Sequence, residues 1–156
     1  MRASAIVAGA ALLVAACGGK DKAANPSDTS NTMAAPPPAA TTGTGVVHEI
    51  QMVQEGANTY KFVPAVDTIH VGDTVTFKGV SGLQHDVSFY ADSIPPGADA
   101  VLNAAIQNGP QPLSTEMIND GQSASISFAG APAGVYKFYC IPHQAMGMKG
   151  TIVVVP

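Results

Sequence analysis

"GVYKFYCIPHQAMGMKGTIVV", residues 134–154, places two apolar strand patterns on either side of a short loop carrying sulfur and imidazole groups. In "VYKFY", Tyr136, Phe138 and Cys140 share one phase, while Val135, Lys137 and Tyr139 share the other. That period of two is the signature of a half-buried strand. The run after Gly150 is β-branched and apolar, so a second strand is expected there. Between them lie Cys140, Pro142, His143, Met146 and Met148, at the end of a strand instead of inside one.

Outward from this stretch the same alternation recurs in "VTFKGV", "HDVSFY" and "SISFAG", punctuated by Gly, Pro and Asn/Asp. Strands are expected near 46–53, 60–63, 66–71, 74–78, 85–90, 123–128, 134–139 and 150–155, with one short helix over 99–107. So many short strands predict an all-β fold, a Greek-key β-sandwich with antiparallel pairing. The chain has no glycine-rich phosphate loop, no internal repeat and no βαβ alternation.

The N-terminus has a different character. Arg2 precedes an uncharged run from Ala5 to Ala16, too short for a stable membrane span, which reads as an export signal over 1–16. The run ends at Val14-Ala15-Ala16-Cys17, which resembles the lipobox of bacterial lipoproteins. That resemblance implies that Cys17 is lipidated and becomes the mature N-terminus, and Gly18 implies sorting to the outer membrane of a Gram-negative cell. Residues 17–45 are rich in Ala, Pro, Thr and Gly and read as a disordered linker. Residues 46–156 form the folded domain, expected to be monomeric, exported and tethered to a membrane with its site facing the periplasm or cell exterior. The domain has four lysines, no arginine and nine acids, a formal charge of −5. It lacks the basic face that a nucleic-acid partner would require.

Cys140 and Cys17 are the only cysteines. With Cys17 committed to lipid, a disulfide is not expected. A single Cys-x-x-His offers too few thiolates for a structural zinc site. A thiolate with imidazoles and a thioether nearby instead suggests a His₂Cys copper site with a weak axial methionine. The second histidine has three candidates. His70 is out of phase with Ile69 and Val71 and reads as solvent-facing; His48 lies at the linker junction; His85 shares the inward phase of Val87 and Phe89. Periodicity favours His85 without excluding His48.

Residues Gly134, Tyr136, Phe138, Tyr139, Cys140, Pro142, His143, Met148 and Gly150 match the C-terminal copper loop of plastocyanin and related small cupredoxins. "GLQHDVSFYADSIPPGAD" and "YKFVPAVDTIHVGDTVTF" resemble earlier segments of the same family, so the likeness covers nearly all of 46–156. The resemblance implies one copper per chain, with His85, Cys140 and His143 as equatorial ligands and Met148 as the axial one. Met146 falls two residues too early. The resemblance further implies a non-enzymatic electron carrier cycling between Cu(I) and Cu(II). Its electron-transfer patch would comprise His143, Leu83, Pro142, Ala145 and Met146. It would dock transiently on redox proteins, a cytochrome or a membrane oxidoreductase complex. The chain departs from the family at Asp86, where plastocyanins carry Asn beside the copper site, and it has only Asp92 and Asp99 in the loop where plants build an acidic patch. A copper carrier or chaperone is the alternative, although such proteins cluster methionines and only Met146 and Met148 are close here. Multicopper oxidases need more histidines than four, and His-x-His pairs that are absent. A copper-free interaction domain would not need the full ligand set.

Overall fold

The computed structural model describes residues 45–106 and 109–156. The export signal, Cys17 and nearly all of the linker lie outside the described residues. Alternating sequence becomes eight strands: β1 (Val47–Gln54), β2 (Tyr60–Val63), β3 (Val66–His70), β4 (Thr74–Gly79), β5 (Ser88–Phe89), β6 (Ser123–Ser127), β7 (Gly134–Tyr139) and β8 (Lys149–Val155). Helix α1 spans Ala98–Ala105, and 3-10 turns form at Ala91–Ser93 and Gln144–Met146. The strands pack as two four-stranded sheets, ordered β2–β1–β4–β6 and β3–β8–β7–β5.

The sequence predicts antiparallel pairing throughout, but two pairs are parallel: β1 with β4, Val47 opposite Thr74, and β3 with β8, Val66 opposite Thr151. The cause is a change of sheet. β2 pairs antiparallel with β1, and after Pro64 the chain continues into β3 in the opposite sheet. The Gly72-Asp73 turn then brings β4 back alongside β1 in the same direction.

The strand expected over 85–90 shortens to Ser88–Phe89, flanked by an isolated bridge between His85 and Ile118. His85 and Ile118 exchange backbone bonds of 3.0 and 2.7 Å. The Val87 N–H, however, donates to the Thr115 hydroxyl at 3.0 Å instead of to a backbone carbonyl, which interrupts the ladder. The 113–118 segment also accounts for Asp86 and Ser88 being buried together with Val87 and Phe89, against the simple alternation.

Phe138 centres the core. Its ring lies 4.7 Å from Phe62, 5.4 Å from Phe77 and 5.9 Å from Phe89, edge-on or tilted. Such pairs each contribute about 0.5–1.5 kcal/mol beyond area burial. Two residues earlier in β7, the buried Tyr136 donates its hydroxyl to the Pro132 carbonyl at 2.6 Å, tying the start of the strand to the preceding corner.

The two ends of the sandwich differ. Where the described chain begins, the Val46 N–H donates to Asp73 Oδ1 at 2.8 Å and the His70 N–H to Asp73 Oδ2 at 2.7 Å. His48 lies between Asp67 and Asp73, 3.2 Å from each. The His70 N–H above all, with the Val46 N–H and His48, holds the Asp73 carboxyl below its usual range. β1 and β4 both run away from this end, toward Gln54 and Gly79. The loops beyond Gln54, Gly79 and Tyr139 therefore converge at the opposite end, where the sulfur and imidazole groups lie.

Candidate metal centre

Cys140 follows β7 directly and continues its inward phase, so its side chain is fully buried. The loop after it folds on its own backbone. The His143 N–H donates to the Cys140 carbonyl at 3.2 Å, and the Met146 and Met148 N–H groups both donate to the His143 carbonyl, at 3.0 and 3.2 Å. Gly147 closes the turn with φ of 85°, a conformation that costs glycine least. The Cys140 N–H then donates to the Met148 carbonyl at 3.2 Å, which sends Met148 back into the core.

His85 arrives on the connection between β4 and β5, fully buried as its phase predicts. Its Nε2 lies 2.9 Å from the Ser81 carbonyl oxygen. A carbonyl only accepts, so Nε2 carries the proton and Nδ1 presents a lone pair. That Nδ1 is 3.7 Å from Cys140 Sγ, and the His143 Nδ1 is 3.4 Å from the same sulfur. One donor atom from each of His85, Cys140 and His143 lies within 4.8 Å of the other two, and all three residues are buried. Gly82 makes this approach possible: it has φ of 106°, and a Cβ there would lie 3.0 Å from His85 Nε2 and 3.1 Å from Tyr60 Cε1.

The electrostatics suit a cation. Burial, above all, pushes the Cys140 thiol up to about 12, and the charge of the Asp86 carboxylate adds to the effect. Burial also holds His143 below the usual imidazole value, keeping it neutral and able to donate a lone pair. A thiol that resists ionisation when alone, facing the two imidazole rings, becomes a thiolate once a metal displaces its proton. One sulfur and two nitrogens form the soft set that copper prefers, so the residues present fit that ion.

Asp86 lies behind this cluster, fully buried. Its Oδ1 accepts the Ile141 N–H at 2.6 Å, while Oδ2 accepts the Ser88 hydroxyl at 2.7 Å and the Ser114 hydroxyl at 3.3 Å. It thereby joins β5, the 113–118 segment and the loop after Cys140.

Met148 and the residues expected to form the electron-transfer patch fall at this end as well. Met148 is fully buried, whereas Met146 is 40% exposed. Leu83 (77% exposed), Pro142 and His143 line a depression of about 590 Å³ together with Tyr60 and Asp120, and Ala145 is exposed on the neighbouring 3-10 turn. A larger groove, about 660 Å³, runs between the end of α1 and β6; Glu116 is its one ionisable lining residue among those described. His48 and His70 sit at the opposite end, apart from Cys140. Tyr60 is absent from the sequence-based candidates, yet its ring stacks on His143 with centroids 3.7 Å apart and planes 7° from parallel. No local signal identifies it, because "YKFV" reads simply as a strand.

Known proteins resemble this chain. The profile of copper binding proteins of the plastocyanin/azurin family matches residues 48–155. Plastocyanin B'/B'' of Nicotiana tabacum is 36% identical over 93 residues, covering 60% of this chain and 86% of that protein. Among solved structures, oxidised plastocyanin from Dryopteris crassirhizoma superposes with a TM-score of 0.54 at 28% identity, over 69% of this chain and 99% of that one. Pseudoazurin from Methylobacterium extorquens AM1 superposes with a TM-score of 0.51 at 27% identity, over 69% and 74% of the two chains.

Proposed function

We propose a working arrangement for this chain from the premise that it belongs to the plastocyanin/azurin family of copper-binding proteins. It is a type 1 copper electron carrier with one copper per chain, and its redox partners are transient. The observation carrying this reading is the buried His85–Cys140–His143 donor group. In our assignment these three residues would hold the copper, with Met148 as a fourth ligand. Its full burial and its backbone bond with Cys140 support Met148 over Met146. Copper bound there supplies a centre that gains and loses one electron without making or breaking a substrate bond.

The protein's own residues limit how far the site must rearrange. The Ser81 carbonyl orients His85, the strand end and the Asp86–Ile141 bond hold Cys140, and the closed loop 141–147 holds His143. Leu83, Pro142, Ala145, Met146 and the edge of His143 form the docking patch. A small patch suits brief encounters with a cytochrome or membrane oxidoreductase complex. The chain is read as a monomer with no catalytic role.

Residues 1–16 are proposed as the export signal, Cys17 as the lipidated terminus and 17–45 as the linker, so that the 46–156 domain is anchored to a bacterial membrane and faces the periplasm or cell exterior. Gly18 favours the outer one. The described chain enters the domain at the end opposite the metal centre, which supports this reading because a membrane anchor there leaves His143 free for partners. A linker of this composition reaches on the order of 30 Å. Mass spectrometry of the membrane fraction tests it: an unmodified Cys17, or a chain retaining residues 1–16, contradicts the anchor.

Adding Cu(II) to the purified protein tests the centre. An intense visible thiolate-to-copper band, with its matching EPR signal, is expected, and it disappears in Cys140→Ser. A colourless protein refutes the reading. Fast electron self-exchange with slow copper release separates an electron carrier from a copper chaperone.

A further inference from the structure

We propose that Tyr60 is the positioning residue for His143, its ring serving as a rigid platform that sets the plane of that imidazole. This rests on reading His85, Cys140 and His143 as the copper site. The two histidines are held in different ways. His85 is locked from behind by the Ser81 carbonyl at 2.9 Å. His143 has no such bond: among the described residues, Cys140 Sγ, at 3.4 Å, is the only polar partner of its ring. An imidazole on a loop, held at one nitrogen alone, is free to swing about its side-chain torsions. The neighbour that blocks this motion is Tyr60, stacked face to face at 3.7 Å and 7°.

Tyr60 is well placed for this task because it does not belong to the loop. It opens β2, in register with Gln54 of β1. The edge of its ring meets His85, with centroids 6.2 Å apart at 65°, and a Cβ on Gly82 would lie 3.1 Å from Cε1. The platform therefore takes its rigidity from the β1–β2 hairpin and touches both imidazoles at once. The aromatic face performs the positioning, and the hydroxyl makes no bond to His143. Tyr60→Phe keeps the face, whereas Tyr60→Leu keeps apolar bulk and loses it.

The test compares wild type, Tyr60→Phe and Tyr60→Leu, first without metal and then loaded with copper. In the metal-free proteins, NMR is expected to show the His143 ring protons shifted upfield by the stacked ring in wild type and Tyr60→Phe, with that shift lost in Tyr60→Leu. In the loaded proteins, Tyr60→Leu is expected to alter the EPR and visible signature. It should also release copper to a chelator about two- to tenfold faster, the range a stacked pair's energy allows. Tyr60→Phe should match wild type. Tyr60→Met gives the same readout if the leucine variant does not fold. Ring-proton shifts and release rates that are equal in all the variants overturn the proposal, as does a Tyr60→Phe protein as altered as Tyr60→Leu. If wild type takes up no copper, the copper reading fails, and the metal-free ring shifts still decide the role of Tyr60.

Discussion

Replacing Asp86 with Asn should raise the reduction potential of the copper centre. The substitution removes a charge while keeping the shape and most hydrogen bonds. An Asn side-chain oxygen can still accept the Ile141 N–H that Asp86 Oδ1 now accepts at 2.6 Å. The amide nitrogen would face the Ser88 and Ser114 hydroxyls, which can accept as readily as they donate. The carboxylate accepts the N–H of the residue after Cys140, is fully buried, and its charge already disfavours a proton-free Cys140 sulfur. The same field disfavours an added electron. Taking a charge separation on the order of 8 Å and an effective dielectric near 20, the interaction is about 2 kcal/mol, on the order of 90 mV for one electron. Polarisation of the surrounding hydroxyls reduces this, so a rise of tens of millivolts is expected. Protein-film voltammetry of the two proteins under one buffer measures it. Unchanged visible and EPR spectra would verify that the ligands have not moved. A midpoint that stays put or falls in Asp86→Asn refutes the electrostatic reasoning.

Because the Cys140 thiol is pushed up to about 12 while His143 is held below its usual value, copper uptake at neutral pH should release about one proton per ion and tighten about tenfold per pH unit. A pH-stat titration with no proton release contradicts this. Asp73 has a lowered folded value, so its contribution to stability is full above the ordinary 3.8 and is lost as pH falls through the folded value. Urea melts at several pH values should show that Asp73→Asn is less stable near neutrality and less sensitive to acid; parallel acid limbs would contradict the assignment. Gly150→Ala should cost about 1–3 kcal/mol, because the added Cβ would meet the Phe138 ring at the centre of the aromatic cluster. A denaturation midpoint equal to wild type would show that the ring yields freely.

The β7–loop–β8 stretch, the inward phase of His85 and the seven longer strands were legible in the chain because each depends on local alternation and spacing. The segment at 85–90 was less legible. Its regular pattern conceals a partner, residues 113–118, that arrives from a distant part of the chain, breaks the ladder at Val87 and buries Asp86. The parallel pairs β1–β4 and β3–β8 were likewise hidden, since direction depends on where the chain changes sheet.

By itself the sequence determined the β-rich class, the donor types at Cys140, His143 and Met148, and the acidic, arginine-free domain, because these follow from residue chemistry and short-range periodicity. Tertiary structure decided how those donors converge and what holds them. The Ser81 carbonyl behind His85, the Tyr60 ring on His143 and the Asp86 bond behind Cys140 join residues that only a packed sandwich brings within a few ångströms. Contacts of that kind depend on chain crossing and close packing, which no local pattern encodes.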